Sequence, residues 1–344
     1  FVKTGDFTLG KELSIFEDKF ENLMNCKYAV GVNSGTDAIK LSLVALGIKP
    51  GDEIITCANT FVATVGAITE IGAKPVFVDC DDTFCIDVNL IEKKITKKTK
   101  AIVPVHFTGY VCNMITINKL AKKYNLKVVE DACQSILGEY NGRIAGSMAD
   151  AGAFSLHPLK NLNVWSDGGV ITTNNSKIYK KLKLLRNHGL KNRDEVEIMG
   201  YNSRLDTIQA VVGNWLIPQT RKISEKRIQN AKYYDKHLGE ISRITIPPRP
   251  KNIRSVYHLY IVFAEERDRL YEFCIKNKIE VKIHYPIPIY RQNALKFLKN
   301  KKGDFPNTDK HAKSIISFPC DQHITKKEMD FVITTVKKFY KKFN

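Results

Sequence analysis

The chain holds 344 residues, 43% hydrophobic and 26% charged, which is enough for one large domain of roughly 200 to 250 residues plus a smaller one. No apolar run reaches the roughly eighteen residues of a membrane span, and the eight cysteines form neither CxxC pairs nor zinc-like spacings, so membrane-spanning, disulfide-scaffold and zinc-module readings are set aside. The net charge of +18 raises nucleic-acid binding, but the lysines fall in scattered pairs such as Lys93-Lys94 and Lys180-Lys181 without interleaved aromatics, and read as solvated helix faces whose field draws anionic ligands. No secretory leader is visible, so reduced thiols and a cytoplasmic location are expected.

Residues 5–10, GDFTLG, form a flexible entry, after which Leu13, Phe16, Phe20 and Leu23 repeat at helical spacing over 11–23. A strand over 29–32, a helix over 36–46 and a strand over 53–56, with Pro50-Gly51-Asp52 as punctuation, complete a first βαβ unit. In its turn, Ser34, Gly35 and Thr36 offer free N–H groups at a helix start. That is a cradle for phosphate, beside the plainer role of Ser34 as a helix cap. Asn59-Thr60-Phe61 then opens a helix over 62–71, and Phe61 either enters the core or presents a flat apolar face.

A strand over 75–78 leads to an acidic loop, 79–87, to which no chemistry is assigned. The strand over 101–107 carries Pro104, a bulge or strand end, and His106, read as a hydrogen-bonded core residue. After a helix over 115–124, a β-branched strand over 126–130 ends in Asp131. Open α/β sheets place their ligands at that C-terminal edge. Cys133, between Asp131 and Gln134, is read as packing.

Residues 151–173, AGAFSLHPLKNLNVWSDGGVITT, set Lys160 between two apolar strand-like runs, 151–156 and 170–173, with turn chemistry at 166–169. A single lysine in such a chain is ordinarily a solvated charge. Asp131 changes that weighting, because an amine that forms a Schiff base and an acid that keeps a pyridinium protonated are what pyridoxal phosphate asks of its protein. Helices over 178–186 and 219–238 flank a turn and helix over 200–217. Pro247-Pro248-Arg249-Pro250 then marks the expected boundary between a large α/β domain, 1–246, and a small α+β domain, 247–344. Strands over 259–263 and 280–285 and helices over 268–277 and 326–343 are expected in the latter.

Ser34-Gly35-Thr36-Asp37-Ala38, Asn59-Thr60-Phe61-Val62-Ala63-Thr64, Val129-Glu130-Asp131-Ala132-Cys133-Gln134, Phe154-Ser155-Leu156-His157-Pro158-Leu159-Lys160 and Gly200-Tyr201-Asn202-Ser203-Arg204 resemble, in order, the motifs of the DegT/DnrJ/EryC1/StrS sugar aminotransferases. The resemblance implies an aspartate aminotransferase-like fold of type I, with a mostly parallel sheet, acting as a homodimer with shared active sites. It implies pyridoxal 5'-phosphate on Lys160, with Asp131 at the ring nitrogen. Ser34, Gly35 and Thr36 meet the phosphate, Phe61 stacks on the ring, Gln134 lies near its hydroxyl and Ser155 belongs to the same cofactor site. Asn202 reaches the neighbouring subunit's cofactor, where its plain role would be a helix cap. His157, His284 and Tyr285 are expected to line the substrate cleft, and no metal is expected.

The implied reaction moves an amino group from glutamate or glutamine to a keto-sugar, most simply one linked to a nucleotide, for surface polysaccharide, lipopolysaccharide or antibiotic sugars. Two departures stand out: His157 three residues before the lysine, and Ser166 where glycine is frequent, which predicts a strained turn if φ is positive there. Residues 157–165 also resemble a sub-branch that includes an enzyme aminating a Kdo-type octulosonic acid, an alternative acceptor. A dehydratase with His in place of the lysine is disfavoured by Lys160. A non-catalytic binding protein of the same fold is disfavoured by the pair Asp131 and Lys160.

Overall fold

The computed structural model describes residues 2–341. Strands β1 (Tyr28–Val32), β2 (Glu53–Cys57), β3 (Lys74–Val78), β4 (Thr99–Val103) and β5 (Lys127–Asp131) are followed by the short β6 (Glu139–Tyr140) and β7 (Arg143–Ile144), then by β8 (Ala151–Ser155) and β9 (Gly169–Thr173). Seven of them form one sheet in the order β1-β9-β8-β5-β4-β2-β3. β9 runs antiparallel to both neighbours, and the remaining pairings are parallel.

Side chains alternate across this sheet with the two-residue period of a pleated strand. Ile54, Val103, Val129, Ala153 and Ile171 enter one core, and Ile55, Ile102, Val128, Phe154 and Val170 enter the other. Helix α1 (Lys11–Met24) covers the second face through Leu13, Phe16 and Phe20, while α2 (Gly35–Ala45) and α3 (Val62–Glu70) cover the first. Both faces being covered explains the near-continuous apolar strands. Each fully buried aliphatic side chain contributes about 1.5–3 kcal/mol against leaving it in water.

After the short α4 (Val88–Ile91), α5 (Met114–Tyr124), α6 (Ser176–Leu185) and α7 (Thr207–Leu216) complete the outer layers, and α8 (Thr220–Leu238) leads away from them. A second core gathers Ala231, Tyr234 and Leu238 of α8 with a sheet of β10 (Ile244–Thr245), β12 (Tyr260–Ala264) and β13 (Ile315–Phe318) and with α9 (Arg267–Lys276) and α11 (Lys326–Tyr340). The short β11 (Ile253–Arg254) pairs with β6. Thus α8, which precedes the expected boundary, lends its apolar face to the second core.

Three expectations are corrected. β4 stops at Val103, because Pro104 has no N–H to give to the ladder, and Val105 makes an isolated bridge to Asp131. Residues 280–285 form no strand; Lys282 makes an isolated bridge to Ser317, and β13 takes the place beside β12. The last helix ends at Tyr340, and Phe343, where it was expected to end, lies outside the described residues.

The acidic loop 79–87 has a structural task. The Asp79 carboxylate accepts from the N–H groups of Asn307 and Thr308, at 2.8 and 2.9 Å, in the first turn of α10 (Pro306–Ser314). It therefore caps a helix from a distant part of the chain, where the preceding Phe305 offers no side-chain cap. Beside it, Cys80 Sγ lies 3.3 Å from His311 Nδ1. Among the described residues no helix is long and apolar enough to cross a membrane, and no group of three or more His, Cys, Asp or Glu is placed to hold a metal ion.

Candidate active site

Lys160 sits on the connection between β8 and β9. Its loop is anchored by the fully buried Leu156, Leu162 and Val164 and by backbone bonds from Leu156 N to Gly168 O and from Val164 N to Leu156 O. Lys160 N donates to His157 O at 2.8 Å, and Asn163 Nδ2 donates to Lys160 O at 2.9 Å. The stem of the lysine is partly exposed while its amine is enclosed. Burial pulls the amine's pKa down, with Cys133 and Asp131 acting the other way. Among the described residues its hydrogen-bond partner is His258 Nε2, at 3.4 Å.

Ser166 does not adopt a positive φ, so the expected strain in this turn is absent. The glycines after it are needed for room. A Cβ on Gly169 would stand 2.2 Å from Ser34 O, and one on Gly168 would stand 2.9 Å from Leu205 Cδ1. β9 can therefore press directly against the turn that starts α2. Gly35 does the same from the other side, where a Cβ would meet Ser155 Cβ at 2.6 Å and Cys133 Sγ at 3.0 Å.

This packing brings Ser34, Gly35, Thr36 and Ser155 to one point at the N-terminus of α2. Ser34 Oγ accepts from Asp37 N at 3.1 Å, so the cap is present as well. The first-turn N–H groups have no acceptor within the helix and carry the positive end of its dipole. These donors suit an anion such as a phosphate, and a Cβ on Gly35 would collide with Ser155.

Asp131 ends β5 and is buried. Its Oδ2 accepts from Thr64 Oγ1 at 2.7 Å, Thr64 Oγ1 lies 2.8 Å from Thr60 Oγ1, and Asp131 Oδ1 accepts from Cys133 N at 3.2 Å. The carboxylate is thus oriented by α3 and by its own turn. Cys133 donates toward Ala153 O at 3.7 Å and stays a thiol, since burial and Asp131 push its pKa well up. Gln134 Oε1 accepts from Thr108 N at 2.7 Å. The carboxylate, the enclosed amine, the anion cradle and the exposed ring of Phe61 together form a donor set suited to pyridoxal phosphate.

Phe61 is 48% exposed at the head of α3, with its ring 5.7 Å from that of Tyr285, which lies 5.9 Å from Phe107. Burial and the Asp131 charge push the Tyr285 phenol up, and Gln134 beside it acts the other way. His284 Nδ1 lies 2.8 Å from Ser317 Oγ, and burial, then Lys160 and Lys282, bring its pKa down to about 4. His157 is exposed; its Nδ1 accepts from Leu159 N at 3.3 Å and shapes the lysine loop. Asn202 stands apart, exposed, in an isolated backbone bridge with Asn187. His106 is a core residue, 2.9 Å from the buried Glu130 carboxylate.

Sequence reasoning missed His258 and Thr64. His258 reaches Lys160 from 98 residues further along the chain, and nothing local in Val256-Tyr257-His258 marks it. Thr64 was legible: Thr60 and Thr64 are four residues apart at a helix start, so they share the face that meets Asp131.

The profile of the DegT/DnrJ/EryC1/StrS aminotransferase family matches residues 1–337. The chain is 37% identical over 339 residues to the dTDP-3-amino-3,6-dideoxy-alpha-D-galactopyranose transaminase of Aneurinibacillus thermoaerophilus, an alignment covering 98% of this chain and 93% of that one. Its structure is similar to that of S. venezuelae DesV in complex with a ketimine intermediate, with a TM-score of 0.96, 34% identity, and coverage of 98% and 91% of the two chains. It is also similar to NtdA from Bacillus subtilis with the cofactor PMP bound, with a TM-score of 0.92, 32% identity and coverage of 99% and 79%. A match along nearly the whole chain, on a fold that sets an enclosed amine beside an oriented carboxylate, leaves one assignment: this chain belongs to the DegT/DnrJ/EryC1/StrS family and is a pyridoxal phosphate-dependent aminotransferase of fold type I.

Proposed function

We propose that the chain transfers an amino group from glutamate or glutamine to a nucleotide-linked keto-sugar. The observation that carries the site is the Lys160 amine, enclosed near the oriented Asp131 carboxylate with a ring nitrogen as its hydrogen-bond partner. Pyridoxal phosphate, when bound, supplies an electron sink for the charge released at the donor's α-carbon. Ser34, Thr36, Ser155 and the Gly35 end of α2 would hold its phosphate, Phe61 would cover a ring face and Gln134 would meet the ring oxygen. Asp131, held by Thr64, would keep a proton at the ring nitrogen. Lys160 would anchor the cofactor and, as a free amine, would move the proton at the α-carbon. Burial favours its neutral, basic form. The net charge of +18 favours a phosphate-bearing acceptor.

The acceptor is tested by supplying the holoenzyme with either donor and a panel of nucleotide-linked keto-sugars beside Kdo-type octulosonic acids, with and without a hydroxyl carbon oxidised to a second carbonyl, with products read by mass spectrometry. Amination of a nucleotide-linked ketone is expected. Amination of the free acid alone would move the assignment to that acceptor, and loss of water without amination would make the chain a dehydratase.

The active unit in this reading is a homodimer. Trp165 and Leu159 on the lysine loop and Trp215 on α7 are exposed apolar side chains, and Trp165 N donates to Gln209 Oε1 at 2.9 Å, tying the loop to α7. Asn202, exposed just before α7, is then free to serve the second copy. Mixing Lys160→Ala with Asn202→Asp chains tests this. Random reassortment makes half the dimers mixed, each with one intact site, so about a quarter of wild-type activity should return. With subunit exchange confirmed, no recovery would place Asn202 in its own chain's site.

A further inference from the structure

A lysine amine rides on a flexible four-carbon stem, so once free it must be aimed by a partner. Carboxylates commonly do this, but the Lys160 amine meets His258 Nε2 instead, at 3.4 Å. The histidine is fixed through its backbone. Val256 N donates to Gly109 O at 3.0 Å and Leu259 N to Thr108 O at 3.2 Å, while Arg227 Nη1 donates to Tyr257 O and His258 O at 3.2 and 3.3 Å. The lysine loop is tied to the same segment, because Asn161 Nδ2 donates to Val256 O at 2.9 Å. The two groups are therefore held in register by backbone contacts on both sides, and both line one cavity with Cys133, Gln134 and Ser155.

We propose that His258 is a positioning residue for amino transfer: a neutral imidazole whose Nε2 accepts from the free Lys160 amine and keeps it aimed into this cavity. The proposal rests on the reading of Lys160 as the reactive amine. Burial, followed by the nearby Lys160 and Arg227 cations, opposes a proton on the ring, so the imidazole stays neutral. When the Lys160 amine is protonated it has only N–H donors, so Nε2 is the acceptor and the ring's single proton sits on Nδ1, a buried atom without a hydrogen-bond partner among the described residues. Such an acceptor stabilises the ammonium more than the amine. His258 thus offsets part of the burial that lowers the Lys160 proton affinity, and it restricts where the amine points.

The test reads Lys160 itself. In the chain freed of cofactor, the extent of acylation by acetic anhydride is followed against pH by peptide mass spectrometry, with exposed lysines as internal references. His258→Gln keeps a polar atom near the Nε2 position, His258→Asn places one nearer Nδ1, and His258→Phe keeps only the ring. Near-wild-type titration of Lys160 is expected in His258→Gln. In His258→Asn and His258→Phe the amine should bind its proton about tenfold more weakly. Equal shifts in all three variants would show a packing effect, and no shift in any would show that the amine does not feel the ring; either overturns the proposal. Should His258→Phe fail to fold, the comparison of Gln with Asn at matched melting temperature decides. Reductive trapping of the cofactor on a lysine other than Lys160 would defeat the underlying reading without touching this titration, so the two failures are distinguishable.

Discussion

Lys40 and Lys160 are both drawn out of water, and they are held in opposite ways. Lys40, on α2, meets Asp37 at 2.8 Å and Glu70 at 2.9 Å and lies 4.8 Å from the centre of the Tyr201 ring. Burial works against its charge, but the hydrogen bonds to Asp37 and Glu70 outweigh it and its pKa rises. At Lys160 burial wins and the pKa falls, and the nearby Asp131 carboxylate opposes it only through its charge. Burial by itself does not make a lysine reactive; the company it keeps decides whether it becomes a fixed cation or a usable base.

The strongest way to break this comparison is to delete each amine in turn. Lys160→Ala should lower amino transfer by on the order of 10³-fold or more, because the group that moves the proton is gone, while the melting temperature holds. Lys40→Met should act on stability instead, lowering it by about 1–3 kcal/mol in urea titrations. That is below the figure for a fully buried pair because Glu70 is half exposed. A Lys40 variant with Lys160-like loss of turnover at unchanged stability would erase the distinction.

Asp131→Asn keeps the shape and the Thr64 contact but removes the charge. Turnover should fall by about 10²-fold or more, measured in single-turnover assays with cofactor saturating. Unchanged turnover would reduce Asp131 to a strand-end residue. A smaller effect is expected at Gly169→Ala, where the new Cβ would meet Ser34 O at 2.2 Å. The cradle must shift, costing about 1–3 kcal/mol, and the chain should lose cofactor faster on dialysis.

The smallest effect is in the pH dependence of stability, and its sign differs between the two lysines. The pKa of Lys160 in the cofactor-free fold lies below the ordinary lysine value of 10.5, so between the two values the unfolded chain binds more protons and stability rises with pH. That of Lys40 lies above 10.5, so its contribution is whole below that pH and is lost as pH climbs through the raised value. Melting curves of the cofactor-free chain above neutral pH, beside Lys160→Met and Lys40→Met, should show slope changes of opposite sign. Changes of the same sign would mean that the two environments are alike.

What could be read from the sequence follows the same division between local and distant. Ser34-Gly35-Thr36 and Asp131 were legible because strand, turn and helix punctuation lie within a few residues of each other. Lys160 was legible from the apolar runs on either side of it. The strand expected over 280–285 did not form, although Val281 and Ile283 carry the β-branched pattern, because β13 already pairs with β12 and leaves an isolated bridge at Lys282. Asp79 reads locally as part of an acidic loop without assigned chemistry, and its helix partner lies 228 residues away at Asn307. His258 was hidden for that reason too: its contact with Lys160 exists only after two cores have packed against each other.

The central claim, that Lys160 and not a carboxylate-paired lysine such as Lys40 carries the cofactor, is met most directly by chemical trapping. The holoenzyme is reduced with borohydride, which fixes the cofactor covalently to its lysine, then digested and mapped by mass spectrometry. The account predicts the label on the peptide containing Lys160, one per chain. A label on Lys40 or any other lysine, with the Lys160 peptide unmodified, would contradict it.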